Sequence, residues 1–384
     1  MAETGIIKYT SALEAIRARP GMYLGWPNIK GLCHLLVAFL DDLLADSANN
    51  TNSGRGENND IPRVEFEFHP GRKKLSISVM GVRTKPVLDA MGVLDSRPKT
   101  PLLFYPGSEA RFHLDLSILV AATETFCARI YQTDSPMLKF QSQRGKYTIE
   151  TIHPEKNTSA GDDIAKGVMK FEFTLDSEIW HTTILPFDQI TEALREYALL
   201  NPRVTIVCTD RQTEVVQRRF FHYKRGIFDE FDNIILLKKS ENTACLHIEA
   251  EDSGRVYRIG ICIDPMQCDG RVRSWCGSSE TKEGGSLING ILDGIIAAFR
   301  KNAKDWPHGI KVSRKSIVEH VFILAAVGGQ MGDVRYAGAT KDKLDMPALQ
   351  KYVKRLVRQR VDEWLASDAG LKERIMWRFQ RWSS

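Results

Sequence analysis

Three things are scarce in this 384-residue sequence: closely spaced cysteines, long apolar runs and an excess of one charge. The seven cysteines are Cys33, Cys127, Cys208, Cys245, Cys262, Cys268 and Cys276, and no two form a CxxC pair. That odd, scattered set fits reduced thiols in a cytosol better than a disulfide framework. The cluster Cys262, Cys268 and Cys276 matches no standard zinc spacing and has no histidine placed to complete it. No apolar run approaches the roughly 20 residues that span a bilayer. The start, Met1 to Gly5, has no basic-then-apolar leader pattern. The expectation is a cytoplasmic protein with no membrane partner.

Lys and Arg total 53 against 48 Asp and Glu, a formal charge of +5. The excess has a definite location. Between Pro347 and Ser384 there are nine basic and four acidic residues, so this last tenth carries the whole imbalance. With 43% hydrophobic and 26% charged residues, wholesale disorder is excluded. The length suggests two domains, each large enough for its own core.

Ser11-Ala-Leu-Glu14 is a capping box that opens a helix, and Pro20-Gly21 must end it near Arg19. Gly31 to Asp46 reads as a long, mostly buried helix, and Asn49 to Asp60 as a loop. Arg63–Phe68 and Leu75–Val79 alternate at period two around Pro70-Gly71, which predicts a hairpin. A helix is expected over 114–126, then strands near 127–132, 136–141, 146–152 and 168–175, making a helix-on-sheet α+β layer. A helix at 188–200, a strand at 204–208, strands at 244–250 and 256–263, a helix at 287–299 and a strand at 317–326 follow. Helices at 349–365 and 372–382 end the chain.

Several stretches resemble the N-terminal ATPase region of the B subunit of DNA gyrase and its type IIA topoisomerase relatives. They are Leu13-Glu-Ala-Ile-Arg-Ala-Arg-Pro-Gly-Met-Tyr-Leu-Gly25, Gly31-Leu-Cys-His34, Phe221-His-Tyr-Lys-Arg-Gly226, Glu283-Gly-Gly-Ser286 and Thr340-Lys-Asp-Lys-Leu344. The resemblance implies a GHKL-type ATPase domain over 1–225 and a ribosomal-protein-like transducer domain over 226–384. It also implies the parts that ATP hydrolysis needs: a general base, a Mg²⁺ ligand, an adenine reader, a phosphate cradle and a cation at the γ-phosphate.

Set against those needs, the sequence is depleted. The base position is Ala38, which takes up no proton, and the Mg²⁺-ligand position is Asp42 where the family has Asn. Asp41 lies roughly 100° around the helix from Asp42, and it reads, like Asp46, as a solvated or capping carboxylate. Aligned through Arg83 and Pro86, the adenine reader has become Met80, and the turn glycines Val82 and Thr84. The loop Ser53-Gly-Arg-Gly56 precedes the hairpin and is no substitute. The lid equivalent, Ala110 to Ser117, has no glycine, and its Arg111 and His113 read as surface or packing residues. Lys341 matches the γ-phosphate lysine, with Thr340 before it and Ala339 in place of a Gln. The expectation is therefore a pseudo-ATPase, a scaffold or regulator with no cofactor. Asp42, Arg83, Thr340 and Lys341 would serve ATP and Mg²⁺ only if the chain is instead a divergent, still active subunit.

The basic tail supports a third reading. Lys351, Lys354, Arg355 and Arg358 recur at i, i+3, i+4 and i+7, one helix face, with Arg374 and Arg378 beyond and Trp364, Trp377, Phe379 and Trp382 interleaved. Such a stripe suits phosphate binding, so DNA is a candidate partner; a solvated amphipathic face fits the pattern equally. A gyrase or topoisomerase subunit is the other partner the resemblance implies. Homodimerisation stays open, because few residues precede the first helix and only Ile6, Ile7 and Tyr9 offer anchors for a crossing arm.

Overall fold

The computed structural model describes residues 12–49, 61–82, 116–132, 135–152, 167–238, 243–263, 272–303, 312–329, 332–338, 341–368 and 370–375. The chain divides into two compact units, Met1–His222 and Tyr223–Ser384. Both combine helices with sheets, so the fold class is α+β.

The first unit opens with α1 (Ala12–Ala18), α2 (Pro20–Leu24) and α3 (Ile29–Asn49). Pro20 does end α1, as expected, and then starts a new short helix, where its missing N–H costs nothing. Strands β1 (Arg63–Phe68) and β2 (Lys74–Met80) form the expected hairpin. They are followed by β3 (Thr123–Gln132), β4 (Ser135–Gln143), β5 (Lys146–Ile152), β6 (Met169–Leu175), α4 (Phe187–Leu200), β7 (Thr205–Asp210) and β8 (Gln217–Phe221). The sheet order is β5-β4-β3-β6-β2-β1-β7-β8, and β1 with β7 is its parallel pair.

Strand alternation sorts the residues by face. Leu75, Ile77, Val79, Phe171 and Phe173 are buried, and Phe39 of α3 meets Phe171 edge-on at 5.2 Å. Phe187 of α4 meets Phe68 in the same way at 5.1 Å. Helices α3 and α4 therefore cover this face, while the opposite face carries Lys74, Ser76, Arg129 and Glu172 in a polar network.

The expected helix over 114–126 is too long. Helical residues run only to 121, and β3 begins at Thr123, whose hydroxyl bonds the Val120 carbonyl at 3.0 Å and closes the last turn. The β-branched residues Thr123 and Thr125 then take up pairing with β6. Arg17 of α1 anchors this junction, donating to the Ala121 carbonyl at 2.8 Å and to Asp176 at 2.7 Å.

The second unit contains α5 (Ile227–Lys238), β9 (Ala244–Asp252), β10 (Arg255–Ile263), β11 (Val272–Cys276), β12 (Ser279–Glu280), α6 (Ser286–Asn302), α7 (Arg314–His320), β13 (Val321–Gly329) and α8 (Pro347–Ser367). The sheet order is β12-β11-β13-β10-β9. Tyr257, Ile259, Ile261 and Ile263 share a core with α6 and α8. The other face meets α5, where Phe231 stacks on Phe322 at 5.6 Å. The strand expected over 317–326 begins only at Val321, because 314–320 form α7, whose Ile317 N–H bonds the Ser313 carbonyl.

Helices α6 and α8 touch at two glycines. A Cβ at Gly290 would lie 2.8 Å from the Gln350 carbonyl oxygen, and one at Gly294 would lie 2.8 Å from that of Lys354. The bare backbone lets Val353 and Val357 sink fully into the core.

Candidate functional site

The long helix of the first unit presents Ala38 and Asp42 four residues apart on one flank. Leu35, Leu36, Phe39, Leu40 and Leu43 form its buried stripe, and Ala38 and Asp42 sit half-buried at its margin. The Oδ2 atom of Asp42 is buried. Helix α4 lies along the adjoining side, where the Cys33 thiol approaches the Gln189 carbonyl and the Tyr197 hydroxyl bonds to Asp41. Burial, followed by the Asp41 and Asp42 charges, pushes the Tyr197 hydroxyl well above its ordinary range, so it remains a donor. Asp41 is exposed yet tied to Tyr197, a more specific role than a solvated or capping carboxylate.

Tyr197 had no recognisable signal in the sequence. It occupies an apolar position of an amphipathic helix and is 2% exposed, as an ordinary core residue would be.

At the end of β2 the register separates the residues of the second motif. Met80 pairs with Arg63 and follows Lys74, Ser76 and Ser78 on the polar face, opposite the face that α3 covers. Gly81 carries no side chain, and Val82, where the resembled motif has glycine, is buried. Nothing from Met80 to Val82 offers a carboxylate to an adenine amine. Arg83, Thr84 and residues 110–115, including Arg111 and His113, lie outside the described residues, as do Ser53–Gly56.

ATP and Mg²⁺ can be tested against this flank. A methyl group stands where a base is needed, and a carboxylate stands beside a buried hydroxyl at the metal position. Asp42 has the oxygen chemistry that Mg²⁺ takes. Among the described residues, no three His, Cys, Asp or Glu side chains converge as a metal site.

In the second unit, two motifs far apart in sequence come together. The Glu283 N–H bonds the Asp342 carbonyl at 2.8 Å, Leu344 donates to Gly284 at 3.1 Å, and Ser286 donates to Leu344 at 2.8 Å. The Ser286 hydroxyl also accepts from the Met346 N–H at 2.7 Å. This backbone clasp sits at the start of α6 and displays Lys341, which is exposed and held at a left-handed φ of 60°. Thr340 and Ala339 lie outside the described residues. Lys341 and Asp42 belong to different units.

Helix α8 buries Leu349, Val353, Val357, Val361 and Leu365 and exposes Lys351, Lys354, Arg355 and Arg358. Its acidic residues are engaged elsewhere: Asp362 with Lys301 at 3.0 Å, and Glu363 with Arg360 at 3.2 Å. Among the described residues, the four cations thus form a stripe that the helix's own carboxylates leave uncompensated, with the Arg355 guanidinium 5.8 Å from the centre of the Tyr352 ring. Arg374 is exposed and 3.8 Å from Asp368. Arg378, Trp377, Phe379 and Trp382 lie outside the described residues. Among the described residues, no helix is long and apolar enough to cross a membrane.

Residues 230–382 match the family model described as DNA gyrase B. The chain is 26% identical over 374 residues to the B subunit of DNA gyrase from Borrelia hermsii, covering 91% of this chain and 54% of that protein. It is 24% identical over 381 residues to the B subunit of DNA topoisomerase 4 from Streptococcus pneumoniae, covering 96% and 56%. It therefore spans about half the length of these curated relatives. In fold it is similar to the crystal structure of the B-subunit of DNA gyrase from Myxococcus xanthus, with a TM-score of 0.73 at 16% identity over 95% of this chain and 99% of that one. It is also similar to the 43K ATPase domain of Thermus thermophilus gyrase B, crystallised with an aminocoumarin, with a TM-score of 0.71 at 18% identity, covering 97% and 96%.

Proposed function

For a chain that is gyrase-B-like in sequence and in fold, we propose a non-catalytic role: a pseudo-ATPase that scaffolds or regulates a topoisomerase partner on DNA. The observation that carries this reading is Ala38. It occupies the α3 flank one helical turn before Asp42, where an active relative would need a group that accepts a proton from water. Loss of a general base alone removes about 10²–10⁴ in rate. Met80, turned to the polar face, and the buried Val82 support the same reading, because neither offers a carboxylate to an adenine amine or the backbone freedom of a glycine turn.

In this reading the second unit supplies the contact with DNA. Lys351, Lys354, Arg355 and Arg358 meet phosphates through charge, while the buried face of α8 fixes their spacing. The partner is a topoisomerase subunit of the kind that completes the curated relatives.

The deciding experiment is calorimetric titration of the full chain with ATP, and with a non-hydrolysable analogue, in the presence of Mg²⁺. Absence of heat is expected. Micromolar binding overturns the proposal in favour of a divergent, active subunit that uses Asp42 and Lys341 with an unrecognised base. The Lys341→Asn variant then reports on the cation, since Asn tolerates the left-handed backbone that Lys341 adopts. Active-subunit chemistry would lose turnover in that variant.

A further inference from the structure

Cys245 on β9 and Cys262 on β10 are direct partners across their hairpin, and their sulfurs are 3.1 Å apart. The hairpin register shows that this pair suits a covalent bridge. The turn Ser253-Gly254 has positive φ at both residues, 52° and 74°, as a two-residue type I′ turn requires. Its flanking residues, Asp252 and Arg255, are therefore a hydrogen-bonded pair, and pair types alternate outward from them. Cys245–Cys262 falls on an odd step and is a non-hydrogen-bonded pair. In such pairs the Cα atoms approach to about 4.5 Å, inside the roughly 4.4–6.8 Å that a disulfide spans.

The two thiols also differ in access. Cys262 is fully buried on a central strand, whereas Cys245 is partly exposed on β9, the edge strand of the sheet. Cys245 is thus the member of the pair with solvent access, and Cys262 is the shielded one. Three other thiols are held back by burial. Burial pushes Cys33 and Cys276 up to about 11 and Cys208 up to about 12, so they stay protonated near neutral pH.

We propose that Cys245 and Cys262 form a redox-modifiable dithiol that a hydroperoxide closes to a reversible intrachain disulfide. The Cys245 sulfur attacks the peroxide and breaks the O–O bond. One oxygen stays on sulfur as a sulfenic acid, and the other leaves as water or an alcohol with the proton of the Cys245 thiol. The Cys262 sulfur then attacks the Cys245 sulfur and forms the S–S bond. The sulfenic hydroxyl departs with the Cys262 proton as water. Two thiols are oxidised by two electrons, and one peroxide is reduced. A small-molecule thiol restores the pair by exchange. The bridge ties the sheet edge to its neighbouring strand.

The test treats the full chain with one equivalent of hydrogen peroxide, then maps peptides without reduction and counts the thiols. The tryptic peptide 259–271 contains both Cys262 and Cys268, so the mapping is repeated in a Cys268→Ser chain. The expected result is a loss of two thiols, one cross-link joining the peptide of Cys245 to that of Cys262, and full recovery with dithiothreitol. In Cys245→Ser the cross-link and the thiol loss both disappear. In Cys262→Ala a sulfenic acid persists at Cys245 and is trapped by dimedone. Should that variant fail to fold, the cross-link map of the native sequence still decides. A native chain whose Cys245 is overoxidised while Cys262 remains a thiol overturns the proposal, as does a cross-link between other cysteines or unchanged thiol content.

Discussion

Gly294 on α6 lies against Val357 on α8 so closely that an added Cβ would stand 2.8 Å from the Val357 Cβ. Alanine is favoured over glycine in a helix by about 1 kcal/mol. Overpacking a close contact costs about 1–3 kcal/mol. The clash outweighs the preference, because the Lys354 carbonyl oxygen stands equally close and is backbone that cannot rotate away. Gly294→Ala is therefore expected to lower the urea midpoint. A raised midpoint would mean that the two helices do not meet at this point.

The same contact sets which face of α8 looks outward, and so where DNA would bind. Each of Lys351→Ala, Lys354→Ala and Arg358→Ala should weaken duplex binding regardless of sequence. Each should also reduce the slope of log affinity against log salt by about 1. Fluorescence anisotropy over a salt series measures both. Slopes identical to that of the parent chain would rule out phosphate contacts by these residues.

Restoring the missing base should not restore chemistry. Ala38→Glu places a carboxylate on the flank of α3, yet Met80 and Val82 still provide neither a carboxylate for adenine nor a glycine turn. The expected ATPase rate is at background in a coupled assay. Turnover above background in this variant would show that the nucleotide pocket survives and only its base was lost.

Arg17 and Asp176 tie α1 to the end of β6, and Asp176 is fully buried. Burial opposes its charge, but the Glu178 N–H, Arg17 and Arg144 outweigh that penalty and hold the carboxyl below its ordinary value. The folded chain thus binds this proton less readily than the unfolded chain does. The resulting stability is complete above the ordinary carboxylate range and is lost as pH falls through the lowered folded value. Asp176→Asn removes the buried partner of Arg17, which keeps the Ala121 carbonyl and Glu178, and should cost about 1–3 kcal/mol near neutral pH. Denaturation curves collected toward acid should fall less steeply in the variant than in the parent chain.

Much of this was legible in the residue order. The β1–β2 hairpin follows from strict alternation around Pro70-Gly71, and α3 from an apolar stripe at helical spacing. Helix–strand borders were less legible. Both 114–126 and 317–326 are rich in apolar residues that suit helix or strand, and the changeovers at Thr123 and Val321 depend on pairing with β6 and β10, which lie far away in sequence. In the candidate site, the spacing of Ala38 and Asp42 was readable because both lie on one helix. The face of Met80 was not. Alignment through Arg83 and Pro86 fixes sequence order, whereas a one-residue difference in strand register reverses the side to which a residue points. Tyr197 and its bond to Asp41 were hidden for a similar reason, since packing of α4 against α3 is a tertiary fact.

The clasp that joins Glu283–Ser286 to Asp342–Met346 is built almost entirely from main-chain amides. Peptide groups are common to every amino acid, so mutation can erase the chemistry displayed there while the display itself persists. Lys341 is exposed and carried on backbone that its neighbours hold in place. The position is a mount whose fitting can change within one limit: any replacement at residue 341 must accept the left-handed backbone there, as glycine and asparagine do.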